Sequence, residues 1–292
     1  MDCTTVKKNL GLQRCIKLPA LPRSIITTPD DFFFTTEEMS TPALFKTAMQ
    51  DAILAGVAER IYLWPNFVAF EDVSEEAVYE DTVLAVMPVR DGQYRFRFHI
   101  RENICVHKAM YTHRSNKGRA FVYDIEGQLT GTEDEATGNF YGLSIVMIHT
   151  EKLKISDGSV STKTPIYVVL ADNKELDLYG AIADASFINT VDRINDVAIE
   201  VSGAFAATDF DVTVKVECDQ TPVTGLVEAD FILTNTAGVV QTIETVTELN
   251  GVYTITAPAG NPFEDGFLTL VAPADLTLTG YEVLTPLTVN IP

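Results

Sequence analysis

Apolar and polar residues alternate with a period of two along most of this chain, and one segment departs from that pattern. The clearest alternation runs from Tyr94 to Arg101, where Tyr94, Phe96, Phe98 and Ile100 interleave with Arg95, Arg97, His99 and Arg101. Successive side chains of a strand point to opposite faces, so this segment predicts a strand with one apolar and one cationic face. Similar short strands are predicted at 82–88, 119–125, 141–150 and 165–171, with turns at Asp91-Gly92, Glu126-Gly127, Asp157-Gly158 and Asp172-Asn173. Residues 130–139 read as an acidic loop. The departure is a helix predicted over 42–55. There Leu44, Phe45, Ala48, Met49, Ala52, Ile53 and Val57 recur at three- and four-residue spacing. Thr41 supplies an N-cap hydroxyl and Pro42 takes the first helical position, where its missing N–H costs nothing. The body therefore reads as mostly β, of the α+β class: a β-sandwich or barrel with one flanking helix.

The texture changes near residue 197. Short strands are predicted at 197–201, 211–218, 228–234, 239–247, 251–256, 266–271 and 284–291, with Pro222, Asn235, Gly238, Asn250-Gly251, Pro258, Gly260 and Pro273 in the gaps. This strand density is that of a small immunoglobulin-like β-sandwich, without the disulfide-and-Trp core of antibody domains. The expected organisation is an extended N-terminal arm at 1–35, a body at 36–197 and an immunoglobulin-like domain at 198–292. Pro19, Pro22 and Pro29 punctuate the arm, and Phe32, Phe33 and Phe34 form an apolar anchor at its end. Two readings of 1–35 stay open: an arm ordered on a neighbouring subunit, or an irregular strand of its own subunit.

Charge narrows the function. The 292-residue chain carries a net −20, and 197–292 holds one basic residue, Lys215, against 13 acids. So acidic a surface argues against specific nucleic-acid binding, which uses clustered Lys and Arg to displace counterions. No stretch has the roughly 20 apolar residues of a membrane span, and no apolar signal-peptide core follows Met1, which predicts synthesis in a cytoplasm without Sec export. The four cysteines, Cys3, Cys15, Cys105 and Cys218, form no CxxC pair. Reduced thiols are the expectation, with a Cys3–Cys15 bridge as the alternative.

No catalytic signature stands out, and no cofactor motif is present. Cys105 and His107, if on a strand, would point the same way, yet nothing beyond nearby arginines would activate the thiol. His107 and His113 lack zinc-ligand spacing, and Glu133-Asp134-Glu135 and Glu264-Asp265 lack the spacing of a calcium loop. The charge blocks say more. Eight Lys and Arg fall within 90–119, six acids and no base within 71–81, and six acids and no base within 120–151. Either these blocks steer self-association, or they pair inside one subunit as neighbouring strands do. On the first reading the subunit interface comprises Arg95, Arg97, Arg101, Glu75 and Glu76, together with Phe32, Phe33 and Phe34.

Residues 60–82 (RIYLWPNFVAFEDVSEEAVYEDT), 95–113 (RFRFHIRENICVHKAMYTH) and 142–177 give the chain a general resemblance to virion structural proteins of tailed bacteriophages, particularly those of Bacteroidetes. It most resembles tail tube proteins that end in an immunoglobulin-like domain. The resemblance implies a non-enzymatic virion protein, made in the host cytoplasm, that self-assembles into stacked hexameric rings beside other virion proteins. Alternatives within the virion are a head decoration, head fibre or connector-ring protein. The alternative of another class is a surface module binding glycans through 198–292. An acidic tube would also let DNA slide without sticking.

Overall fold

A computed structural model describes residues 19–81, 86–90, 92–114, 117–159, 161–278 and 280–291; side chains are described except over 80–90. The chain divides into two compact units, one of residues through Ile53 with Val57–Val191, the other of Leu54–Gly56 with residues from Asp192 onward. Both are rich in β-structure, as the alternation predicts.

The first unit contains, in order, β1 (Pro22–Thr28), β2 (Phe33–Phe34), α1 (Pro42–Leu54), β3 (Tyr62–Leu63), β4 (Phe67–Asp72), β5 (Val78–Asp81), β6 (Val86–Arg90) and β7 (Arg95–Ile100). Then come α2 (Ile104–Thr112), β8 (Gly118–Asp124), β9 (Gln128–Glu133), β10 (Phe140–Tyr141), β11 (Leu143–Thr150), β12 (Thr164–Leu170), α3 (Asn173–Asp177) and β13 (Gly180–Asp184). Antiparallel pairing runs from β1 to β8, β11, β12, β7 and β4. The ring closes because the chain bends at residues 64–66, so that β3, just before β4, pairs back onto β1 through Leu63↔Ile26 and Tyr62↔Thr27. Trp64 holds the bend: its backbone N–H donates to Ile25 O (3.0 Å) and its indole N–H to Thr27 Oγ1 (3.0 Å). Alternate residues Ile166, Val168 and Leu170 of β12 and Phe98 and Ile100 of β7 share one buried cluster with Ile25, Leu143 and Ile148. A small barrel filled this way is a packed core rather than a pore.

A second layer leaves the barrel at β8. Its C-terminal half pairs with β9, which carries β10, β2 and β13. Helix α1 starts where the Thr41 hydroxyl accepts from Leu44 N (3.3 Å), and buries Phe45, Met49 and Ile53. Phe45 meets Phe34 edge-on at 4.9 Å and Phe187 at 5.3 Å, and Phe34 also reaches Phe121. The helix matches its expected bounds within a residue, although Val57 lies beyond its end and is exposed.

Several expectations need correcting. Of the expected arm, residues 1–18 lie outside the described residues, but 22–34 belong to their own subunit: β1 sits between β8 and β3, with Ile25 and Ile26 1% and 0% exposed. Its apolar residues are paid back by long-range pairing that local periodicity does not reveal. Of the expected acidic loop, residues 130–133 are the end of β9, leaving only 134–139 as loop. Of the strand expected at 82–88, residues 82–85 lie outside the described residues and β6 begins at Val86.

The second unit contains β14 (Asn195–Val201), β15 (Asp209–Val216), β16 (Phe231–Asn235), β17 (Val240–Gln241), β18 (Thr245–Leu249), β19 (Val252–Thr256), β20 (Gly266–Leu270), β21 (Tyr281–Val283) and β22 (Leu287–Val289). The strands expected at 197–201, 211–218, 251–256 and 266–271 are found within about two residues, whereas the one expected at 239–247 divides into β17 and β18 of different sheets and β21 lies outside the expected strands. They form two sheets, ordered β18-β19-β15-β14-β21 and β17-β16-β20-β22. Inward residues of both sheets, among them Val212, Val214, Leu233, Tyr253, Ile255 and Leu268, make one core. The β18–β19 turn has φ of 56° at Asn250 and 80° at Gly251, the double positive φ that selects Asn-Gly in a two-residue hairpin.

Candidate functional site

The cationic face of β7 lies on the barrel exterior, and its charges are met within the chain. Because β4 runs antiparallel to β7 in the register Glu71↔Arg97, the acidic block of β4 lies against the basic block of β7. Arg97 contacts Glu151 at 2.8 Å and Glu71 at 3.8 Å, and Arg95 contacts Glu75 at 2.7 Å. The His99 ring, only 2% exposed, places Nε2 2.8 Å from Glu71 Oε1. The hydrogen bond from His99 holds the Glu71 carboxyl below its ordinary pKa, with smaller contributions from the charges of His99, Arg97 and Lys163 against an opposing effect of burial. An ionised carboxylate only accepts, so Nε2 carries the proton. On the buried side, His99 Nδ1, Arg95 Nε and Arg97 Nε have no hydrogen-bond partner. The opposite-sign blocks thus meet inside one chain, which removes Arg95 and Arg97 as free charges for a neighbour.

The other expected interface residues scatter. Glu76 and Arg101 are exposed. Phe34 is core, 1% exposed, Phe32 packs on it at 5.0 Å, and only Phe33 is exposed, with its ring 5.2 Å from Tyr141.

Cys105 and His107 do not share a strand. They lie on α2, which begins where the Asn103 carboxamide accepts from Val106 N (2.9 Å). Two residues apart on a helix, their side chains diverge. His107 Nδ1 lies 2.9 Å from Thr164 Oγ1. The Asn103 cap, with Val106 and Met110 one turn apart, was the signal for this helix. Cys105 and Cys218 are both disulfide-bonded, and no described cysteine is free. This corrects the expectation of reduced thiols, since spacing along a chain does not reveal which sulfurs meet in space. Cys3 and Cys15 lie outside the described residues. At the end of α2, the Arg114 guanidinium sits 5.2 Å over the Tyr111 ring, donates to its hydroxyl (2.6 Å) and donates to His149 Nδ1 (3.1 Å). His113 stands edge-on to Tyr62 at 4.5 Å, and burial pushes its pKa down.

A cleft of about 310 Å³ is lined by Ser74, Glu75, Gln93, Tyr94, Asn173 and Asp177, among others. Asn173 bridges it, accepting from Tyr94 N (3.2 Å) and donating to Gly92 O. The Tyr94 hydroxyl donates to Asp177 Oδ1 (2.6 Å), and chiefly through that bond its pKa is pushed up to about 12. The stability this bond gives is fully present below pH 10.0 and is lost as pH rises towards 12. Burial also raises the phenol pKa of Tyr123 and Tyr253, so a spectrophotometric titration is expected to show several tyrosines ionising late, one fewer in Tyr94→Phe and one shifted back towards 10.0 in Asp177→Ala.

Among the described residues, no group of three or more His, Cys, Asp and Glu is placed to hold a metal ion, and no helix is long and apolar enough to cross a membrane. The chain matches no protein-family model and no curated protein sequence.

Proposed function

We propose that this protein is a structural component of a tailed-phage virion, a tail tube subunit that assembles with copies of itself into stacked rings. The observation that carries the reading is architectural. A closed barrel filled by aliphatic and aromatic side chains, flanked by a helix and followed by an acidic two-sheet sandwich, is the combination that the sequence resemblance implies. The chemistry of the barrel exterior supports it. Arg95 and Arg97 are spent on ion pairs and His99 on a hydrogen bond to Glu71, contacts that stiffen the wall, and Cys105 is locked in a disulfide. On this reading neither Cys105 nor His107 has a catalytic role.

Negative-stain microscopy of the purified full chain at increasing concentration tests the proposal. Rings or tubes are the expected result. Particles that stay monodisperse monomers or trimers at every concentration would overturn the tail tube reading and favour a decoration or fibre role.

A further inference from the structure

Identical chains of net −20 repel one another at long range, so their association requires a surface where that charge is locally reversed. The outer face of α2 is such a surface. Arg101, Lys108, Arg114 and Lys117 are exposed on or beside it. Ile104 and Tyr111, 62% and 44% exposed, stand at i and i+7 with Lys108 between them, so they form one stripe. The guanidinium stacked on Tyr111 keeps that ring oriented. An exposed helix face bearing two large apolar side chains framed by cations fits a partner that is both acidic and apolar.

The same unit presents that complement elsewhere. At the end of β9 and the end of α3, Leu178 and Tyr179 are 51% and 41% exposed beside the exposed carboxylates of Glu133 and Asp177, with Lys174 the nearby base. The corner is held rigid: Glu133 N and Thr132 Oγ1 both donate to Tyr179 O, at 3.0 and 3.2 Å.

The two surfaces are anchored at opposite ends of β11. Near its start, Ser144 Oγ donates to Glu175 of α3 (2.7 Å); at its end, Thr150 Oγ1 donates to Met110 O of α2 (2.9 Å). Six residue steps along the strand separate those anchors by about 20 Å, so one chain cannot satisfy both surfaces by itself. We propose that the α2 face of one copy receives the Glu133–Asp177–Leu178–Tyr179 corner of the next. This inference rests on the self-assembly reading above and names its contact. The contact is head-to-tail, the type that generates closed rings or helical stacks. A nucleic acid fits the α2 face less well, because the exposed Ile104 and Tyr111 interrupt the cations and Glu102 stands at the helix start.

Sedimentation velocity of the full chain over a range of concentrations and salt provides the test, with circular dichroism to verify folding. Arg101→Glu with Lys108→Glu, and separately Glu133→Lys with Asp177→Lys, should each weaken association about tenfold or more. The chain carrying all four reversals should recover association to within about threefold of the original, because the two charge patterns are then exchanged. Ile104→Asp, at an exposed position, should weaken association without altering the fold. If the unaltered chain assembles and the reversals leave it unchanged, or if the fourfold variant stays as weak as its parents, the contact is wrong while the self-assembly reading stands. If the unaltered chain never assembles, that reading fails and this one with it. Retardation of duplex DNA through Arg101 and Lys108, with the copies remaining apart, would assign the face to a polyanion and overturn the proposal.

Discussion

A chain lacking residues 19–34 is expected to have an unfolded N-terminal unit, not merely one that fails to assemble. That deletion takes out β1, which joins β8 to β3 and so closes the barrel. It removes the buried Ile25 and Ile26 and the carbonyl that Trp64 N–H uses, and it leaves the edges of β8 and β3 unpaired. The buried Ser24 hydroxyl, which donates to Trp64 O at 2.7 Å, and the Ala20 N–H, which donates to Asp124 at 3.0 Å, go with it. Each buried polar group left without a partner costs about 1–3 kcal/mol, and an opened sheet edge invites aggregation. Circular dichroism and proton NMR dispersion of the truncated chain should show lost signal from this unit. A soluble, dispersed spectrum would place β1 outside the core. A point substitution gives a graded version: Phe34→Ala should cost about 3–5 kcal/mol, whereas Phe33→Ala, at a position 38% exposed, should cost far less.

In the second unit the largest single-residue effect is expected at Asp230. Its carboxylate is 0% exposed and accepts two backbone hydrogen bonds, from Val227 N (2.8 Å) and Thr277 N (2.7 Å), tying the start of β16 to the loop after β20. Asp230→Ala removes the acceptor of both bonds and so unties the two segments they join. The loss should be about 3 kcal/mol or more, lowering the melting temperature of a unit this size by roughly 12 °C or more. Asp230→Asn keeps one acceptor oxygen but turns an NH2 group towards a donor, so it should recover only part of the loss. The exposed neighbour Glu228 is the control, and Glu228→Ala should change stability by about 0.5 kcal/mol or less. Calorimetry distinguishes these outcomes, and an Asp230→Ala chain melting like the original would show that the carboxylate is not an organising group.

What the sequence determined by itself is whatever depends on neighbours a few residues away. Helix α1 was legible because Thr41, Pro42 and the Phe45–Met49–Ile53 spacing act within single turns. The two faces of β7 were legible because alternation is a property of any strand, and the β18–β19 hairpin because Asn-Gly accepts positive φ. The mostly β character of the chain follows from the same local rules. Tertiary structure decided everything that joins distant residues. It placed β1 and Phe34 in their own subunit's core, although prolines and weak periodicity made that segment read as an arm. It bent the chain at Trp64 so that β3 and β4 close a barrel. It set Glu71 against Arg97 and Glu151 beside the same guanidinium, so charge blocks that could have met across subunits meet within one. It formed disulfides at Cys105 and Cys218, and it anchored α2 and the Leu178–Tyr179 corner at opposite ends of β11. Periodicity and turn chemistry choose the element, but they carry no information about register or about which strand edge finds which partner. Those are settled by burying apolar area while satisfying every backbone donor at once, a condition that only the whole chain can meet.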